Sequence, residues 1–185
     1  MLLPSFKPLP ETLAKDPATW TPLGTSVTVR CRNALGPAEG AVVLVYTSDG
    51  ENNMEHFIVA CLGCHYLAWQ TSQRRCLPQD AAAHLANAHA ADCRAMSCGV
   101  PASPSDGEAA QMVRTRLWEL RRHESYGVHH VSVADFDRLR VALQRSRDFI
   151  NATMLQLATS EPHFVAAQDG YRGTRFLVQP HAPRA

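Results

Sequence analysis

The chain lacks any apolar run of the roughly 20 residues that a membrane-spanning helix requires. Its longest apolar runs are only six residues long, as in the segment Ala41–Tyr46. The first eight residues also lack the basic start, apolar centre and small-residue cleavage site of a secretory signal. We therefore expect no membrane span and a cytoplasmic location, where the six cysteines would be reduced thiols or metal ligands rather than disulfides.

The chain also lacks a strong excess of charge of either sign. It carries 18 basic and 17 acidic residues, which give a formal net charge of +1. The molecule as a whole is therefore not expected to attract nucleic acid or anionic lipid, and any such binding would require a local patch. The apolar fraction of 45% is ordinary for a chain with a packed core.

Familiar catalytic motifs are missing as well. The sequence contains no G-x-S-x-G elbow, no glycine-rich phosphate loop and no repeated acidic pair suited to Mg²⁺. His129 and His130 adjoin a predicted turn between helices, where solvated or hydrogen-bonded imidazoles are the simplest interpretation. We therefore expect a protein that is not an enzyme, and an enzyme that uses zinc or an unpaired thiol is kept as the alternative.

The first half of the chain predicts a small antiparallel sheet. Residues 1–24 contain five prolines and predict an extended lead-in. Residues 25–98 predict a β-meander followed by a zinc-finger-like module. Strands are expected at 25–32, 41–47 and 55–60, because these segments are apolar or β-branched and are separated by turn-forming residues. A short return strand at 65–70 and a helix from Gln79 to Met96 would complete this half.

The second half predicts a helical hairpin and a short β-ribbon over residues 105–179. A first helix would begin after Ser105 or Asp106 and run to about His123, and a longer one would follow Ser132. The longer helix, 133–159, carries a near-heptad apolar stripe that could pair two subunits. A hairpin turning at Asp169–Gly170 and a loose tail at 180–185 would end an α+β fold.

Two pairs of residues predict a metal site. Cys61 and Cys64 form a C-x2-C pair after an apolar strand, and Gly63 between them would supply the backbone freedom that a tight turn needs. His89 and Cys93 are four residues apart, and both would lie on the inward face of the predicted helix with Ala82, Leu85 and Met96. Three sulfur donors and one nitrogen donor suit tetrahedral Zn²⁺, so we expect a closed, structural zinc site.

Other ligand sets and other chemistries remain to be compared with this one. His84 and His89 form H-x4-H, which makes His84 the alternative ligand to Cys93, and Cys76 is a weaker candidate. The segment that begins at Cys61 also matches the C-x-x-C-H pattern of haem attachment, but that chemistry normally accompanies export. A thioredoxin-like redox pair is disfavoured because the motif follows a meander rather than lying in a βαβ unit.

Arginines supply the only sequence argument for nucleic acid. They lie in the predicted finger loop and on the two later helices, although acidic residues at helical spacing favour a surface of ion pairs instead. The residues that a nucleic-acid surface would use are Arg74, Arg75, Arg114, Arg121, Arg122, Arg138 and Arg145.

Residues 55–98 resemble small alanine- and arginine-rich, zinc-finger-like proteins of high-GC bacteria and their plasmids. The resemblance rests on a C-x-G-C knuckle followed by an alanine-rich H-A-x-x-C-R-A helix, which here spans His89 to Ala95. It implies a regulatory role or an accessory role in plasmid transfer. The gap between the two ligand pairs is longer than in a C2H2 finger, which weighs against a DNA-reading helix.

Together these patterns predict a zinc-stabilised, non-enzymatic binding or regulatory module. Its partner would be nucleic acid or another protein. An accessory protein of a plasmid or other mobile element, acting in transfer or maintenance, is the second hypothesis.

Overall fold

The computed structural model describes residues 15–48, 56–73, 75–121, 127–170 and 173–180. Within these ranges the fold is α+β, with two small antiparallel sheets and several helices. No helix in the described part of the chain is long and apolar enough to cross a lipid bilayer.

The first sheet is the predicted meander. Its four strands are β1 (Thr25–Arg32), β2 (Val42–Ser48), β3 (Ile58–Cys61) and β4 (Leu67–Ala68), and they pair in sequence order. A four-residue helix, α1 (Gly36–Glu39), lies in the predicted turn between β1 and β2. The central strand β2 is apolar throughout its first five residues because both of its faces are buried.

One face of this sheet packs against α2 (Gln79–Asp92). The side chains that α2 buries are Ala82, Ala86 and Ala90, whose small size lets the helix approach the sheet closely. Leu85 is half-buried and packs against this core, as predicted, whereas the prediction that Met96 belongs to the inward face was wrong. Met96 is 66% exposed because the helix ends at Asp92, four residues earlier than predicted.

The second half begins with α3 (Asp106–Glu119), which starts where predicted. Ser105 accepts a hydrogen bond from the Glu108 N–H, and the Glu108 carboxylate accepts one from the Ser105 N–H, so both ends of a capping box form. The buried residues Ala109, Val113 and Leu117 face the core of this half.

The single long helix predicted for 133–159 is instead broken. A 3₁₀ turn (Val133–Leu139) leads into the short helix α4 (Arg140–Leu143), and α5 (Arg147–Ser160) follows. Gln144 interrupts the helix with left-handed backbone angles (φ 45°, ψ 45°). Its side-chain amide donates to the carbonyls of Pro101 and Ala102, and these distant contacts stabilise the break.

The predicted apolar stripe is largely buried inside the chain itself. Phe136, Leu143, Ile150, Met154 and Leu157 lie in the core of the second half, and Leu139 packs against it. A dimer would therefore need a different surface, and association of two copies stays a prediction.

A three-stranded sheet completes this half, in the order β5 (His129–Val131), β7 (Gly173–Val178), β6 (Val165–Gly170). Two local predictions for this region were wrong. Asp169 and Gly170 belong to β6, where they pair with Thr174 and Gly173 rather than forming the turn. His129 and His130, which were expected beside a turn between helices, instead lie in a strand paired with β7.

The two halves meet at a buried ion pair. Asp137 is 3% exposed and lies 3.4 Å from Arg140, which is 1% exposed. The same carboxylate accepts a hydrogen bond from Ser48 and lies 3.1 Å from Nε2 of His56, both in the first half. The Tyr46 hydroxyl donates to the Asp137 carbonyl at 3.2 Å. The Asp137 side chain thus links β2 to the 3₁₀ turn.

Candidate metal centre

The first ligand pair lies on the turn between β3 and β4. Cys61 is the last residue of β3, the chain bends over 62–64, and the Cys61 N–H donates to the Tyr66 carbonyl at 3.1 Å. Gly63 is needed for space rather than for a left-handed backbone, since its φ is not positive. A Cβ at this position would overlap Ala41 and lie 2.6 Å from the Met96 carbonyl oxygen.

The second ligand pair lies at the end of α2. His89 is in the last turn, and Cys93 is the C-cap residue, with extended backbone angles (φ −70°, ψ 134°) and its N–H bonded to the His89 carbonyl. Cys93 therefore reaches the site because the chain leaves the helix. The expectation that His89 and Cys93 share a helix face was wrong, although the two residues do meet.

The four side chains converge. The ligand atoms of Cys61, Cys64, His89 and Cys93 all lie within 4.8 Å of one another, and Cys64 Sγ is 3.4 Å from His89 Nε2. Tetrahedral zinc bonds of about 2.3 Å to sulfur and 2.0 Å to nitrogen place neighbouring ligand atoms roughly 3.5–3.8 Å apart. A metal ion could be held with small movements of the side chains.

Backbone amides surround the sulfur atoms. The N–H groups of Tyr66 and Ala95 donate to Cys64 Sγ at 3.4 Å and to Cys93 Sγ at 3.5 Å. The side-chain amide of Asn33 also donates to Cys93 Sγ, at 3.4 Å, and to the Ala95 carbonyl at 2.6 Å. Such donors stabilise thiolates and orient them toward a metal.

The cysteine pKa values reflect these surroundings. Burial raises the pKa of Cys61 to about 12, although amide hydrogen bonds from Gly63 and Cys64 oppose the effect. Burial also opposes ionisation of Cys93, but hydrogen bonds from Ala95, Asn33 and the neighbouring thiols lower its pKa overall. Binding of a metal would therefore displace a proton that Cys61 otherwise keeps at neutral pH.

His89 is suited to act as a neutral ligand. Burial lowers the pKa of its imidazole, and the nearby Asp92 only partly offsets this. Its ring is stacked on Tyr66, with 3.9 Å between the ring centroids and 10° between the ring planes. This contact fixes the orientation of the imidazole.

The remaining cysteines and the alternative ligand lie elsewhere. His84 is exposed on α2 and does not belong to the cluster. Cys76 and Cys98 are exposed, while Cys31 donates its thiol hydrogen to Asn87. The structure brings together Cys93, and not His84, with the other three ligands.

Most of the arginines predicted to bind nucleic acid are engaged within the protein. Arg114 forms a two-bond pair with Glu161, Arg138 lies 3.5 Å from Glu119, and Arg145 lies 2.9 Å from Asp106. Arg121 donates to the carbonyls of Gln179 and Pro180 and lies over the Trp118 ring. Arg75 is exposed in a loop, whereas Arg74 and Arg122 lie outside the described residues.

The helix that carries His89, α2, lacks the positive charge that contact with phosphate requires. Its exposed residues include Asp80 and Asp92, and no lysine or arginine lies within Gln79–Asp92. A helix that enters a DNA groove normally carries basic side chains that contact the phosphates, and α2 has none.

Comparison of the chain with protein-family models, with curated proteins and with solved structures finds no match. The site has therefore to be interpreted from its own geometry.

Sequence reasoning missed two residues next to the ligands. Tyr66 is two positions after Cys64, so an aromatic residue beside the knuckle was a usable signal. Asn33 is 60 residues from Cys93, and no local pattern indicated their contact.

Proposed function

We propose that this chain is a zinc-stabilised, non-enzymatic binding module in which Zn²⁺ joins the β3–β4 turn to the end of α2. The observation that carries the proposal is the convergence of four ligand atoms within 4.8 Å. Three cysteines and one histidine are a common structural zinc set, and thiolates favour zinc over Mg²⁺ or Ca²⁺.

The role of the metal follows from what it would connect. The β3–β4 turn has only a two-residue strand, β4, on its far side. The end of α2 buries only alanines against the sheet, which supply little apolar area for their length. A metal bond between these two elements would supply stability that the small core lacks.

A catalytic zinc requires an open coordination position, whereas four protein donors fill a tetrahedral site. X-ray absorption on the zinc-loaded protein separates these cases. We expect three sulfur atoms at about 2.3 Å and one nitrogen at about 2.0 Å. A water oxygen in place of one protein ligand would contradict the closed site and favour the alternative of a zinc enzyme.

For the partner we favour protein over nucleic acid. This preference is supported by the internal ion pairs of Arg114, Arg138 and Arg145 and by the acidic exposed residues of α2. Paired arginines retain little net charge for neutralising phosphates. Nucleic-acid binding in a regulatory or plasmid context stays a prediction, and its test is given in the Discussion.

A further inference from the structure

The second half contains a cavity of about 320 Å³ that is separate from the cysteine cluster. It lies where the first half of α5 faces the end of β5 and the start of β7. Its size is at the lower end of the range for sites that bind small molecules. The residues that line it are Val131, Ser132, Val133, Arg147, Asn151, Leu155, Thr174, Arg175 and Phe176.

One stripe of α5 forms a wall of this cavity. Arg147, Asn151 and Leu155 are spaced four residues apart, so they lie on the same face of the helix. The stripe runs from a cation through an amide to an apolar side chain. Leu155 is 44% exposed, although it belongs to a helix whose other large apolar residues pack into the core.

The two arginines of the cavity are unusual for this protein. Within the described ranges, the side chains of Arg147 and Arg175 have no hydrogen bond, ion pair or ring contact, and of the other described arginines only Arg75 shares this property. The remaining described arginines bond to carboxylates, hydroxyls or carbonyls, as the pairs of Arg114 and Arg145 illustrate.

The acidic residues near the lining segments do not neutralise these arginines. Asp169, the closest in sequence to Arg175, is the cross-strand partner of Thr174, so its side chain lies on the opposite face of the sheet from that of Arg175. Asp135 accepts hydrogen bonds from the N–H and hydroxyl of Ser132 at 2.8 and 3.2 Å, so its carboxylate is occupied in a cap. Asp148 follows Arg147 directly and is therefore turned about 100° away from the Arg147 stripe. No acidic residue lines the cavity.

The cavity also has an apolar part. Val131 and Phe176 are cross-strand partners on β5 and β7, and Leu155 faces them from α5. Unpaired cations beside an apolar wall match a ligand that has an anionic end and an apolar body.

We propose that this cavity binds a small organic anion. Its phosphate or carboxylate group would be held by Arg147 and Arg175, and its apolar body would lie against Leu155, Val131 and Phe176. Arginine suits both anions because its planar guanidinium donates two parallel hydrogen bonds.

The test is a titration of the ¹⁵N-labelled, metal-loaded full chain, followed by NMR in a phosphate-free buffer. Phenyl phosphate and phenylacetate are the two probes, and they distinguish a phosphate site from a carboxylate site. We expect at least one to cause saturable shifts confined to the amides around Val131–Val133, Asn151, Leu155 and Thr174–Phe176. Benzyl alcohol and inorganic phosphate, which each supply one half of the chemistry, should bind more weakly.

Three variants make the test specific. Arg147→Gln and Arg175→Gln should each weaken binding by about tenfold, as expected for loss of a charge-assisted hydrogen bond. Arg75→Gln removes the other arginine of the described residues whose side chain makes no bond. Arg75 lies outside the cavity, so this change should leave the affinity unchanged. All three residues are exposed, and the unliganded spectra will show that the fold is retained.

The proposal is overturned if neither probe shifts these amides, or if Arg75→Gln weakens binding as much as Arg147→Gln. Equal affinities for inorganic phosphate and phenyl phosphate would contradict the claim that the apolar residues contribute to binding. A single-stranded oligonucleotide should not shift these amides. If it does, and neither small anion does, the cavity is a nucleic-acid contact and the proposal is wrong.

Discussion

The imidazole of His89 is stacked on the ring of Tyr66, with 3.9 Å between their centroids and 10° between their planes. The two residues come from different elements, since Tyr66 follows the C-x-G-C turn and His89 belongs to the last turn of α2. The stack therefore holds the imidazole of His89 in a fixed orientation beside the sulfur atoms.

This stack predicts that Tyr66 contributes to metal affinity without being a ligand. Tyr66→Leu should lower zinc affinity by about 10- to 100-fold, the usual effect of losing a contact that orients a ligand. Tyr66→Phe keeps the ring and should bind zinc as the parent chain does. Competition with a chromophoric chelator measures both, and equal affinities for the two variants would refute the orienting role.

Gly63 predicts a strict requirement for a residue without a side chain. Gly63→Ala should destabilise the protein by about 1–3 kcal/mol, because the added methyl group would meet Ala41 and the Met96 carbonyl. Gly107→Ala is the matched control, since nothing lies within 4 Å of a Cβ there and alanine favours the α3 helix. Urea unfolding of zinc-loaded protein compares them. A Gly63→Ala variant as stable as the parent chain would contradict the close packing.

The buried pair of Asp137 and Arg140 predicts a large loss on removing one charge. Asp137→Asn leaves Arg140 buried without its counter-charge, which costs about 3–5 kcal/mol of unfolding free energy. Glu119→Gln removes the ion pairs of Glu119 with Arg116 and Arg138. Because the Glu119 side chain is exposed, this change should cost less than about 1 kcal/mol of unfolding free energy.

Both variants should retain the metal stoichiometry of the parent chain, since neither residue belongs to the cysteine cluster. Similar stabilities for the two variants in urea unfolding would mean that the contact between the halves is not held by this pair.

The ion pairs of the arginines predict weak binding to nucleic acid. Fluorescence anisotropy with duplex DNA should give low affinity that falls further between 50 and 200 mM salt, with a shallow slope that reflects few neutralised phosphates. Arg138→Gln and Arg145→Gln should change protein stability more than this affinity. Tight binding that both variants abolish would instead support the nucleic-acid-binding role that the arginines suggested.

The first sheet and the knuckle were predictable because their signals are local. Val27, Val29 and the run Ala41–Tyr46 have strand character, and Cys61 and Cys64 mark a turn without any reference to distant residues. The end of α2 was not predictable in this way. Helical spacing placed Cys93 beside His89, but the chain leaves the helix at Asp92 and Cys93 becomes the cap.

The errors in the second half have a similar cause. A helical segment does begin after Ser132, where Asp135 accepts a hydrogen bond from the Ser132 N–H, yet this segment is a 3₁₀ turn. The helix breaks at Gln144, whose amide bonds to Pro101 and Ala102 more than 40 residues away. The strand at His129–Val131 is three residues long and depends on pairing with β7. Contacts of this range leave no periodic pattern in the sequence.

Metal content measured by native mass spectrometry tests the central claim most directly. The account predicts one zinc ion per chain, lost together with thermal stability in Cys61→Ser and Cys93→Ser. The metal should be retained in Cys76→Ser, Cys98→Ser and His84→Gln, whose side chains are exposed and outside the cluster. A well-folded parent chain without metal, or equal zinc loss in the cluster and control variants, would contradict the account.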